Sequence, residues 1–119
     1  MKITVLIVVL VLILGGAYYF TQAPKSEEAT STSTEFVLRV SGKALVDGPE
    51  VMTVKKGTMV TIRVTADEAE EFHVHGYDRS VDLEPNVEAS LTFLADTAGR
   101  FHTELEGSKT EIATLEVLP

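Results

Sequence analysis

The sequence predicts a small all-β domain, a sandwich of seven or eight short strands, preceded by one hydrophobic N-terminal helix. Three observations carry this expectation. From Glu35 onward apolar and polar residues alternate with period two, the mark of half-buried strands. Turn-forming residues recur at the intervals of a sandwich. The one long unbroken apolar run lies at the start, between Ile3 and Phe20.

That run carries no charge. As a helix it rises about 27 Å at 1.5 Å per residue, close to the ~30 Å hydrocarbon core. Tyr18, Tyr19 and Phe20 close it, where aromatic side chains settle at headgroup level. Residues 1–20 are therefore expected to be a membrane anchor, with Lys2 on the cytoplasmic side. A cleaved signal peptide ending at Ala17 is the rival, since Gly15-Gly16-Ala17 supplies small residues at the right place. Both readings put the rest of the chain outside the cytoplasm, on the cell membrane or in the periplasm. Residues 21–34 (TQAPKSEEATSTST) read as a Ser/Thr-rich linker without apolar periodicity.

The domain is expected over residues 35–119. Phe36, Leu38 and Val40 alternate with polar or outward residues to give a first strand. Val51 and Val54 belong to a second, closed by Lys56-Gly57. Val60, Ile62 and Val64 form the clearest half-buried strand. Glu68 to Glu71 read as an acidic loop or one helical turn, Phe72 to Tyr77 as a strand, and Ser80 to Leu83 as a further short one. Leu91, Phe93 and Ala95 make the next. After a turn at Asp96 to Gly99 come Phe101, Thr103 and Leu105, and Ile112 to Leu118 end the series.

Composition removes several function classes. The net charge is −8, so a phosphate backbone is repelled and nucleic acid is not an expected partner. There is no Cys, which excludes disulfides, thiolate metal sites and cysteine nucleophiles. Glu68, Glu70 and Glu71 read as a solvated acidic loop rather than an acid/base group, since nothing beside them supplies a second catalytic function. No enzyme activity is expected.

The stretches VKKGTMVTIRVTADEAEEFHVHGYD and LTFLADTAGRFHTELEGSKTEIATLEV resemble the cupredoxin family, with its plastocyanin- or azurin-like fold. They are most similar in pattern to the cupredoxin domains of nitrous-oxide reductase, of cytochrome oxidase subunit II and of periplasmic iron-uptake lipoproteins. The resemblance covers the chain from about Glu35 to its end and implies a Greek-key sandwich. It also implies copper ligands: a first His, matched by His75, then a Cys, which falls on or beside Leu105, and further ligands in a loop that here reads Glu106-Gly107-Ser108-Lys109-Thr110. Without the thiolate a blue-copper electron carrier is excluded.

Two histidines remain as candidate metal ligands. His73 and His75 form an H-x-H pair. On a strand both rings share a face, with Cα atoms about 6.6 Å apart, and imidazole suits copper, zinc, nickel or iron. Glu70, Glu71, Asp78 and Glu106 are the nearby oxygen donors. The family pattern sets the first His opposite the Cys position. His102, three residues before Leu105, is then expected to face the other side, about 10 Å along the strand. Two functions compete. One is a membrane-anchored module handling copper or another metal through the His pair, working with an envelope or redox/metal-transport protein. The other is a metal-free sandwich that binds a protein of an envelope complex.

Overall fold

The computed structural model describes residues 32–119; the expected helix of residues 1–20 and most of the expected linker lie outside the described residues. Among the described residues nine strands follow one another: β1 Ser33–Ser41, β2 Ala44–Asp47, β3 Val51–Lys55, β4 Thr58–Ala66, β5 Glu70–Val74, β6 Arg79–Leu83, β7 Ala89–Ala95, β8 Gly99–Leu105 and β9 Thr110–Leu118. They form a four-stranded sheet ordered β2-β1-β4-β7 and a five-stranded sheet ordered β3-β9-β8-β5-β6. β1 runs parallel to β4 and β3 parallel to β9; the other pairings are antiparallel. All-β and two-layered, this is the predicted architecture with one strand more.

The core lies between the sheets. Leu38, Val60, Ile62 and Val64 face inward from one layer, and Met52, Phe72, Val74, Leu105 and Leu115 from the other, each almost wholly buried. β4 has the alternation read from the sequence. β3 has the opposite parity at its start: Met52 points in while Val51 is exposed. The unforeseen strand is β2. It folds back on β1 through Gly42 and Lys43, both at positive φ (58° and 62°), with Ser41 facing Ala44. Such two-residue turns favour Asn-Gly or Asp-Gly, so Gly-Lys hides the hairpin. Asp67 secures it by accepting from the Gly42 N–H at 3.1 Å.

The ends of β5 and β8 shape the site. The expected strand Phe72 to Tyr77 stops at Val74, and His75 to Asp78 form a turn. Gly76 holds φ 88° there, a region that suits glycine, and a Cβ on it would run into the Phe101 ring. Tyr77 then packs on Phe93 and Phe101, with ring centroids 5.0 and 4.6 Å away. Its hydroxyl donates to the Thr97 carbonyl at 2.7 Å and accepts from the Thr97 N–H at 3.1 Å. The His75–Asp78 turn is thereby fastened to the β7–β8 turn.

β9 carries a bulge. Thr103 pairs with Ala113 but Glu104 with Glu111, so Ile112 is extra and both Ile112 and Ala113 are buried in succession. The hydroxyl of fully buried Thr103 spans the irregularity. It donates to the Ala113 carbonyl at 2.8 Å and accepts from the Ala113 N–H at 3.0 Å.

Candidate metal centre

The centre is assembled on the outer face of the five-stranded sheet, at the ends of β5 and β8. Phe72 pairs with Leu105, His73 with Glu104 and Val74 with Thr103. Phe72, Val74, Thr103 and Leu105 all face the core, so strand alternation turns His73 and Glu104 outward, side by side. His75 and Glu106 follow in the adjoining turns. The two imidazoles stack edge to face with centroids 4.5 Å apart.

Glu106 is the hub. Its Oε1 lies 2.7 Å from His73 Nδ1 and 3.7 Å from His75 Nε2, while its Oε2 accepts from Lys109 Nζ at 2.6 Å. His75 Nε2 is also 3.0 Å from Glu104 Oε1. The hydrogen bond from Lys109 chiefly holds the Glu106 carboxyl below the usual carboxylate range, against a desolvation that would raise it. The same pairing with Glu106 raises Lys109 above the usual lysine range.

Two atoms are left over. His73 Nδ1 and His75 Nε2 are shut off from solvent, yet neither has a hydrogen-bond partner. The nearby carboxylate oxygens are close but lack the alignment a hydrogen bond needs. One ligand atom each from His73, His75 and Glu106 fall within 4.8 Å of one another. Bonds of about 2.0–2.1 Å to a tetrahedral ion place ligand atoms roughly 3.3 Å apart, and the 2.7 and 3.7 Å separations bracket that spacing. Two imidazoles and a carboxylate can hold a divalent transition-metal ion with only side-chain adjustment.

Of the oxygen donors foreseen, Glu106 takes part. Asp78 is fully exposed, 3.5 Å from His73 Nε2. Glu70 is used elsewhere, accepting from the Gly107 N–H at 2.9 Å, and the Glu71 carbonyl accepts from the Glu106 N–H at 2.9 Å. Glu104 escaped the sequence reading; the signal was its place opposite His73, visible only once the register is known. That register also corrects the argument about His102. The expected pairing put His75 opposite residue 105, whereas the pairing is displaced by three residues, and the His75 N–H donates to the His102 carbonyl at 2.9 Å. An odd displacement reverses parity, so His102 shares the outer face with His73. Its ring turns away all the same, with Nδ1 2.9 Å from Glu111 Oε1.

Leu105, on or beside which the resemblance puts the thiolate, is 1% exposed and packs in the core. The His–Glu cluster thus occupies the face opposite to that side chain.

The sequence matches no protein-family profile and no curated protein. Solved structures do match in fold. They include a chain of a heme-copper terminal oxidase dimer (TM-score 0.59, 13% identity, 98% of this chain and 96% of that one). A copper binding protein in the apo form is similar too (TM-score 0.61, 15% identity, 76% and 92%). So is auracyanin from the photosynthetic bacterium Roseiflexus castenholzii (TM-score 0.56, 15% identity, 75% and 98%). Strand order, the parallel pairings and these neighbours agree with the resemblance seen in the sequence: residues 32–119 have a cupredoxin-like fold and contain no Cys.

Proposed function

We propose that this chain is a membrane-anchored, extracytoplasmic metal-handling module that binds copper or another divalent transition metal through His73, His75 and Glu106, and that it is neither an electron carrier nor an enzyme. The observation that carries the reading is the pair of solvent-shielded imidazole nitrogens, His73 Nδ1 and His75 Nε2, that face one carboxylate oxygen without hydrogen-bonding to it. Unpaired buried polar atoms are costly, and a metal ion satisfies both at once. Copper is the first candidate because the similar structures include a copper binding protein. The anchor rests on the apolar run from Ile3 to Phe20.

The test is a titration of the full chain in non-ionic detergent with Cu(II) or Zn(II), followed by calorimetry. His73→Ala and His75→Ala should each abolish most of the binding, and His102→Ala should leave it unchanged, because that ring is engaged with Glu111. Equal losses in all three would move the site. Membrane fractionation and mass analysis of the N-terminus test the anchor; a mature chain starting at Tyr18 would replace it with a cleaved signal.

One observation favours the rival reading, a metal-free interaction module of an envelope complex. Lys109 already neutralises Glu106, so the cluster has a counter-charge of its own. Failure of the parent chain to bind any divalent ion would select that reading.

A further inference from the structure

The geometry points to Glu104 as a fourth ligand, completing an N2O2 donor set with His73, His75 and Glu106 that selects oxidised Cu(II) over Cu(I). This deepens the metal-handling reading and rests on it.

Glu104 is placed for the role by the sheet itself. It lies directly opposite His73 in the β5–β8 ladder, and its side chain is only 20% exposed, comparable with Glu106 at 23% and His73 at 18%. Its Oε1 sits 3.0 Å from His75 Nε2, the atom that has no aligned hydrogen-bond partner. Glu104 stands outside the group of His73, His75 and Glu106 whose ligand atoms lie within 4.8 Å of one another, so its carboxylate reaches an ion held there by a side-chain rotation. Lys109 engages Glu106 on the far side, through Oε2. Oε1 of Glu106 and Oε1 of Glu104 both remain turned toward the imidazoles.

The donor types then set the preference. Cu(I) is drawn to thiolate and thioether sulfur, whereas tetragonal sites of nitrogen and oxygen suit Cu(II). The chain has no Cys. Met52 is buried with no exposed surface, facing the core from β3, and Met59 belongs to the other sheet. No sulfur is therefore offered at this face among the described residues. Lys109, hydrogen-bonded to the Glu106 oxygen that points away, keeps that carboxylate oriented as outer partners of metal ligands do.

The experiment uses the full chain in non-ionic detergent. Cu(II) binding is followed by calorimetry and by EPR, and Cu(I) binding under a reductant by competition with a chromophoric chelator. The parent should bind Cu(II) more tightly than Cu(I), with an EPR spectrum of mixed nitrogen and oxygen ligation. Glu104→Gln should weaken Cu(II) binding by about tenfold or more, the scale on which even outer-sphere partners of a metal act, and should change the EPR parameters. Glu104→His, which keeps a donor at the position, should retain binding with a more nitrogen-rich spectrum. Glu111→Gln, beyond the cluster, should change neither. If Glu104→Gln and Glu104→His both bind Cu(II) with the parent's affinity and spectrum, Glu104 is no ligand, and the three-residue site stands without it. Tighter binding of Cu(I) than Cu(II) by the parent overturns the selectivity. A parent that binds no copper at all overturns the proposal together with the reading beneath it.

Discussion

Replacing Thr103 by Val tests the link between the bulge and the site. The substitution keeps the side-chain shape but removes a hydroxyl that serves both the N–H and the C=O of Ala113. Thr103 has no exposed surface, so water cannot replace the lost partner without opening the core. Each buried backbone group left unsatisfied costs about 1–3 kcal/mol. Two such groups, less the desolvation that the hydroxyl itself no longer suffers, give an expected loss of about 2–4 kcal/mol. That is a large part of the ~5–15 kcal/mol holding a domain together. Urea unfolding followed by circular dichroism measures it. Thr103→Ser keeps the hydroxyl and should lose only the ~1 kcal/mol of a buried methyl group. A Val variant within ~0.5 kcal/mol of the parent, or one no weaker than the Ser variant, would refute the account. Since Glu104 is the next residue, the Val variant should also bind metal less well under conditions where it remains folded.

Other expectations follow from the same geometry. Gly76→Ala combines an unfavourable positive φ with a Cβ driven into Phe101, and should cost about 2–4 kcal/mol by thermal unfolding. Burial, reinforced by Asp96 and opposed by the Thr97 backbone bond, raises Tyr77 above its ordinary 10.0. Its stabilising contribution is complete below that value and lost as pH rises through the folded-state value. In a piece comprising residues 35–119, Tyr77 is the sole tyrosine, so tyrosinate absorbance and alkaline unfolding should coincide. Glu106 is lowered and Lys109 raised by their pairing. The pair should thus help stability between their ordinary values of 4.5 and 10.5, fading below the first and above the second, and Lys109→Met should flatten both limbs of the pH profile. No intense blue band should develop on adding copper, because that transition needs a thiolate.

The strands themselves were largely readable. In β4, Val60, Ile62 and Val64 announce one face against the core by alternation alone, and the same holds for β7 and most of β8. Short pieces were not. Ala44 to Asp47 is too brief for a pattern and enters through an uncommon Gly-Lys turn. In β3 the eye settles on Val51 and Val54, which point to opposite sides, while Met52 is the true partner of Val54. The His pair was legible because both residues are close in sequence. Glu104 was not, because its nearness to His73 depends on pairing between strands about thirty residues apart, and that register is set by turns and core packing rather than local pattern. The borrowed register misjudged the direction of His102 for the same reason.

The inward course of Leu105 decides what a cysteine at that position could do. A Cys placed at 105 would inherit a direction into the core, beside Phe72, with the imidazoles of His73 and His75 on the other side of the sheet. Buried in apolar surroundings, its thiol would resist ionisation. The His–Glu cluster and the side chain of residue 105 belong to different faces, so no substitution at 105 alone joins them, whereas positions 104 and 106 already face the cluster. Leu105→Cys loaded with copper should stay without an intense visible band, whereas Glu104→Cys or Glu106→Cys would set a sulfur beside the imidazoles without any change of strand register.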